Sequence, residues 1–240
     1  MRSWLRTARD VWFPPVCAHC HGLVDTPGRR FLCAHCARRV ERVGGVHCTT
    51  CGYPFCGDVD ASRVCPHCFA LEPWFREGRT AVLLRGPART LVLEIKYHRA
   101  LHLFDEVALL AGEAAGFLDF LRGATLVPVP LHSRKERERG FNQSRLLART
   151  FARAAGGGTR VAEPLRRVAD TATQTRLDRR ARQDNLKNAF ALASRRPINP
   201  TDRLVLVDDV FTTGATLNAC AAVLRRAGCL NLDVATFGHG

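Results

Sequence analysis

No stretch of this 240-residue chain stays apolar for the ~20 residues that a membrane-spanning helix requires. The most apolar later segment, Val107 to Leu121, is interrupted by Glu113 and Asp119. An export signal is lacking as well: Met1 to Val16 is basic but carries Asp10, and no unbroken apolar core precedes small residues for cleavage. The cysteines do not form an even, well-spread set. There are 11, an odd total, and all but two lie between Cys17 and Cys68, which argues against the fully paired disulfide framework of a secreted protein. Together these absences predict a reduced, cytoplasmic protein with no membrane segment. Acids are scarce too, 22 Asp and Glu against 36 Lys and Arg, and the formal charge of +14 directs attention to anionic partners. Apolar residues make up 46% of the chain, enough to bury a core, and the length suits one large or two modest domains.

The clustered cysteines are duplicated. Cys17-Ala-His-Cys20 and Cys33-Ala-His-Cys36 are separated by twelve residues, and Cys48-Thr-Thr-Cys51 and Cys65-Pro-His-Cys68 repeat the arrangement across thirteen. Two thiolates on a tight turn meet one Zn²⁺, and a second pair returning on a hairpin closes a tetrahedron with bonds of about 2.3 Å. Such a site leaves no open position for water, so it is structural, and its binding energy helps fold a region too small to stabilise itself. Cys17, Cys20, Cys33, Cys36, Cys48, Cys51, Cys65 and Cys68 are therefore the expected ligands of two zinc ions. Redox pairs, an iron–sulfur cluster or small core residues are the competing readings. Cys56 falls inside the second unit and competes with Cys51 or Cys65 as a ligand. His19, His35, His47 and His67 read as exposed knuckle residues, and Cys220 and Cys229 as packing residues.

Leu71-Glu72-Pro73-Trp74 reads as a linker, which divides the chain into residues 1–73 and 74–240. Beyond it, strands are expected over Thr80–Leu84, Leu126–Val129, Leu165–Val168, Ala189–Leu192, Leu204–Val207 and Leu232–Phe237. Helices are expected over Pro87–Tyr97, Asn142–Ala155 and Ala215–Ala227, with one or two more within Leu101–Leu121. This alternation predicts an α/β fold with a mostly parallel sheet flanked by helices.

Within that pattern, four apolar residues, Leu204-Val205-Leu206-Val207, suit a central strand covered on both faces. They deliver Asp208 and Asp209, then the loop Thr212-Thr213-Gly214-Ala215-Thr216, to the carboxyl end of the sheet, where α/β folds place ligands. Adjacent carboxylates accept hydrogen bonds from vicinal hydroxyls. Threonine hydroxyls and backbone N–H groups at a helix start suit a phosphate. The plain alternative is a Thr-capped turn with two solvated acids.

The thirteen residues Leu204 to Thr216 resemble the phosphoribosyl pyrophosphate (PRPP) signature of type I phosphoribosyltransferases. Phe13-Pro14-Pro15, Val127-Pro128-Val129-Pro130-Leu131-His132, Glu138-Arg139-Gly140-Phe141-Asn142-Gln143, Thr171-Ala172-Thr173-Gln174 and Asn185-Leu186-Lys187-Asn188-Ala189-Phe190 narrow the resemblance to the ComF family, also described as amidophosphoribosyltransferase-like. The resemblance implies a small N-terminal zinc-ribbon domain fused to a type I phosphoribosyltransferase fold, in a family whose members are linked to DNA uptake in natural transformation. It implies that Asp208 and Asp209 hold the ribose hydroxyls and that Thr212, Thr213, Gly214, Ala215 and Thr216 hold the 5′-phosphate. Leu131, His132, Arg134 and Arg139 would then surround the pyrophosphate and its Mg²⁺. Lys135 and Arg137 extend that positive run, whose other reading is a solvated helix face. Asn142 is either a helix N-cap or a ligand contact. Gln174, Arg180, Arg182 and Lys187 would belong to a loop closing over PRPP, with Arg180, Arg182 and Lys187 stabilising charge; an exposed linker is the alternative. The implied reaction displaces pyrophosphate at the anomeric carbon through an oxocarbenium-like transition state, without a protein nucleophile. The chain begins Met1-Arg2-Ser3 and has no amino-terminal cysteine, so it is not expected to draw ammonia from glutamine.

Charge supports a second expectation, single-stranded DNA as a partner, and the resemblance implies proteins of a DNA-uptake machinery as further partners. Arg2, Arg6, Arg9, Arg29, Arg30, Arg38, Arg39 and Arg42 lie in or beside the ribbons, and Trp12, Phe13, Tyr53, Phe55 and Trp74 could stack on unpaired bases. The alternative is a generally basic surface with aromatics capping a small core.

Overall fold

The computed structural model describes residues 14–55, 57, 61, 63–169, 188–193 and 198–240. Arg2, Arg6, Arg9, Trp12, Phe13, Cys56, Gln174, Arg180, Arg182 and Lys187 lie outside them. Five strands, β1 (Gly78–Leu83), β2 (Thr125–Pro128), β3 (Arg160–Val161), β6 (Leu204–Phe211) and β7 (Leu232–His239), form one sheet in the order β1-β7-β6-β2-β3. Every pairing in it is parallel, as the alternation of elements predicts. The remaining strands, β4 (Leu165–Arg167) and β5 (Phe190–Leu192), were expected in this sheet and instead pair antiparallel with each other as a separate ribbon.

Side-chain alternation along β6 sends Val205 and Val207 to one core and Leu204 and Leu206 to the other. The first core is closed by α2 (Gly86–His98), α3 (Phe104–Glu113), α4 (Phe117–Leu121) and α6 (Gln143–Ala155), through residues such as Leu91, Leu110, Leu121 and Phe151. The second is closed by α7 (Ala215–Arg226), which buries Leu217, Cys220, Ala221 and Leu224, with Cys229 beside it. Cys220 and Cys229 thus act as packing residues, and burial pushes the Cys220 thiol well above its ordinary value.

Leu101–Leu121 resolves into a 3-10 turn (Leu101–Leu103), α3 and α4, the break before α4 falling at Gly116 with φ 70°. The basic run after Leu131 is helical, forming α5 (Ser133–Arg139) with His132 as N-cap accepting from the Arg134 N–H at 3.3 Å. The two-residue β3 gave no sequence signal.

The cysteine-rich segment, which includes the short helix α1 (Ala34–Arg38), lies along the outer side of β1. Val43 N donates to Ala81 O at 2.8 Å, Leu83 N to Glu41 O at 2.8 Å and Gly78 N to Thr49 O at 2.7 Å. Cys17, Leu32, Cys36 and Val40 join the first core, whereas Cys48, Cys51, Cys65, Cys68 and Leu71 join the second. No helix of the described residues is long and apolar enough to cross a membrane.

Candidate functional site

Strand lengths create the site. β2 pairs with β6 only as far as Pro128↔Val207, while β7 follows β6 to its end at Phe211↔His239. Beyond Val207, β6 therefore has a neighbour on one side only, and Asp208 and Asp209 stand where the sheet opens. The sequence reading ended the strand at Val207; it continues to Phe211 because β7 supplies the missing partner.

Above this step is a cavity of about 200 Å³, lined among others by Leu131, Lys135, Arg139, Arg167, Asp208, Asp209 and Thr216. A second cavity of about 310 Å³ adjoins it beneath β4, sharing Pro130, Leu131, Asn142 and Arg167 and adding Glu136, Arg145 and Glu163. The acids are held in place. Asp208 Oδ1 accepts from Ser144 Oγ at 2.7 Å and from the Asp209 N–H at 3.0 Å. Asp209 Oδ2 accepts from Gln143 Nε2 at 2.9 Å and pairs with Lys96 Nζ at 2.8 Å. Burial first, and the neighbouring Asp209 second, push the Asp208 carboxyl up to about 7. Arg139 Nη1 donates to Gln143 Oε1 at 2.6 Å, so Gln143 links a basic wall residue to an acid.

Asn142 is the N-cap of α6. Its Oδ1 accepts from Ser144 N at 3.0 Å and Arg145 N at 3.4 Å, and its Nδ2 donates to Val129 O at 3.0 Å. That cap aims Gln143 and Ser144 at the acids. Gly214 caps α7 with φ 73°, and a Cβ there would come within 2.6 Å of Phe211 Cζ and 2.9 Å of Leu71 Cδ2. The loop thus requires glycine, as its place in the motif suggests.

Of the residues singled out from sequence, Leu131, Arg139, Asn142, Asp208, Asp209 and Thr216 meet on the wall of the 200 Å³ cavity. Thr213 and Gly214 form the turn behind it, where Thr213 Oγ1 accepts from Ala215 N at 3.4 Å, and Ala215 lines a neighbouring groove. Thr212 is exposed, His132 is occupied as a cap, and Arg134 is exposed beside Glu138 at 3.8 Å. Lys96, Gln143, Ser144 and Arg167 were missed. Lys96 had one signal: it follows Val92 by four residues on the buried stripe of α2, where a lysine needs an acid.

The cysteines assemble as expected. Cys17, Cys20, Cys33 and Cys36 form one cluster and Cys48, Cys51, Cys65 and Cys68 another, with the sulfurs in each within 4.8 Å of one another. Cys20 Sγ lies 3.7 Å from Cys33 Sγ, and Cys51 Sγ lies 3.8 Å from Cys65 Sγ. A tetrahedron with 2.3 Å Zn–S bonds has edges of about 3.8 Å, so both clusters fit structural zinc. The Cys65 N–H donates to Cys48 Sγ at 3.2 Å, a bond that favours a thiolate. The second cluster is complete without Cys56.

Residues 8–69 match the family model described as a double zinc ribbon domain. Over most of its length the chain is similar to the DNA utilization protein YhgH of Salmonella typhi, at 34% identity across 85% of this chain and 88% of the relative. It is 28% identical to competence protein F of Haemophilus influenzae across 91% of this chain and 94% of that protein. With the competence protein ComFC of Bacillus subtilis it shares 25% identity across 82% and 79%. Two four-cysteine clusters, a parallel sheet ending in paired aspartates, and relatives aligned across both regions agree: the chain belongs to the ComF family.

Proposed function

We propose that this protein serves DNA uptake or utilization by binding PRPP with Mg²⁺ in the cavity at the end of β6. The names of its relatives, competence and DNA utilization proteins, support the process. The placement of Asp208 and Asp209 on the wall of a cavity that Lys135, Arg139 and Arg167 also line supports the ligand. In this reading the two acids accept the 2′- and 3′-hydroxyls of ribose, and Thr212 to Thr216 cup the 5′-phosphate at the start of α7. Helix-start N–H groups lack intrahelical partners and favour an anion there. Lys135, Arg139 and Arg167 face the pyrophosphate, and Mg²⁺ arrives with it. The cavity beneath β4 leaves room for an acceptor. Transfer would form a bond from the acceptor lone pair to the anomeric carbon as the bond to pyrophosphate breaks, the acceptor proton passing to solvent.

Calorimetric titration with PRPP and Mg²⁺ tests this. The wild type is expected to bind, and Asp208→Asn/Asp209→Asn to lose binding while keeping two zinc ions per chain. Unchanged affinity in the double variant overturns the site. Binding without release of pyrophosphate in the presence of candidate acceptors assigns PRPP a regulatory role.

A further inference from the structure

The DNA half of that reading requires a surface for a polyanion, and the ribbon arginines supply less of one than the sequence suggests. Arg29 is paired with Glu106 and Glu113, and Arg42 donates to Glu113 Oε2 at 2.8 Å and to Val40 O at 2.8 Å. The bonds to Glu106 and Glu113 fasten the first ribbon to α3. Arg38 and Arg39 remain exposed, at the end of the five-residue helix α1.

A concave basic surface lies elsewhere. A groove of about 560 Å³ runs between the 3-10 turn with the start of α3, the outer face of α6, and β3 at the sheet margin. On α6 the groove residues Leu146, Arg149, Thr150 and Arg153 recur at helical spacing, so they share one face. Leu101, Phe104 and Val161 give the groove an apolar floor, and Arg160 of β3 joins Arg149 and Arg153 at its margins. The side chains of Arg149 and Arg160 are each 59% exposed. Arg149 reaches Glu163 only at 3.9 Å, Arg160 pairs with Asp202 at 2.6 Å, and Arg153 has no partner among the described residues. Asp105 is the acid among these lining residues, against three guanidinium groups, two of which also face an acid outside the lining, Glu163 and Asp202.

We infer that this groove binds single-stranded DNA, the arginines meeting phosphates and the floor meeting base faces. The inference rests on the DNA-utilization reading and not on PRPP binding. Charge complementarity selects a polyanion. The apolar residues between the arginines, among them Leu101 at 42% exposure, select an unpaired strand, because a duplex keeps its base faces stacked inside. One helix serves both places: α6 presents Gln143 and Ser144 to the acids at its start and Arg149 and Arg153 to the groove farther along.

The test is fluorescence anisotropy of labelled oligothymidylate with the full chain across a salt series. Arg149→Ala/Arg153→Ala is expected to weaken binding about tenfold and to lower the log–log salt slope by about 1.4, two phosphate contacts in a single strand. Arg38→Ala/Arg39→Ala is expected to bind within about twofold of wild type. Zinc content and melting temperature should match wild type in both, and Arg149→Lys/Arg153→Lys should recover most of the affinity. A groove variant that binds as wild type does, a loss confined to the Arg38/Arg39 variant, tighter binding of duplex than of single strand, or no binding by wild type at low salt each overturns the inference. PRPP titrations on the same preparations show separately whether the β6 cavity works.

Discussion

Lys96 Nζ stands 2.8 Å from Asp209 Oδ2, joining α2 to the far end of the sheet's central strand across 113 residues of sequence. The pair is partly buried, 21% and 15% exposed, so the carboxylate depends on this cation for compensation. Lys96→Met is expected to cost about 1–3 kcal/mol in urea unfolding, since a partly buried carboxylate loses its cation and keeps the neutral Gln143 donor. Combining it with Asp209→Asn should cost less than the sum of the single changes. Strict additivity would show that the two groups do not interact.

Asp208 makes the fold sensitive to pH. Its carboxyl is raised to about 7 by burial and by Asp209, whereas an unfolded chain releases that proton at about 3.9. Between those values the folded state holds a proton that the unfolded state has lost, so stability declines as pH rises from about 4 and levels off above 7. Asp208→Asn removes this component. Unfolding curves at about pH 5 and pH 8 should show a smaller decline in the variant; equal declines would count against the assignment.

Gly214→Ala places a methyl group against Phe211 and Leu71 at a left-handed backbone position. A cost of about 1–3 kcal/mol is expected, read as a lower melting temperature, together with weaker binding of ribose 5-phosphate. Zinc content should not change, because the loop carries no cysteine ligand.

Metal analysis should return two zinc ions per chain. Cys56→Ser is expected to leave that number intact, since Cys48, Cys51, Cys65 and Cys68 already complete a tetrahedron. Cys68→Ser should give one zinc and a large loss of stability, because the second cluster shares its core with Leu204, Leu206 and Val234 of the sheet. Retention of two zinc ions by Cys68→Ser would require a different ligand set.

Signals carried by local spacing were legible in the sequence. CxxC pairs place their own ligands, and the run from Leu204 to Thr216 shows its burial, its acids and its glycine in one segment. Features decided by partners elsewhere in the chain were not. The extension of β6 to Phe211 depends on β7, and the separation of β4 and β5 from the main sheet depends on having only each other to pair with. Ser144 carries no mark of its role, because its hydroxyl reaches Asp208 only after Asn142 has fixed the start of α6. Arg29 and Arg42 looked like free cations because their carboxylates lie more than sixty residues away.

The bonds from Glu41, Val43 and Thr49 to β1 have a consequence for how this protein stays dispersed. An outermost strand offers unsatisfied amides and carbonyls to any passing chain, and proteins that leave one bare tend to polymerise through it. Here the metal-bearing segment occupies that margin. Cutting near residue 73 is expected to strip the guard from β1 and to uncover apolar surface on both sides of the sheet at once.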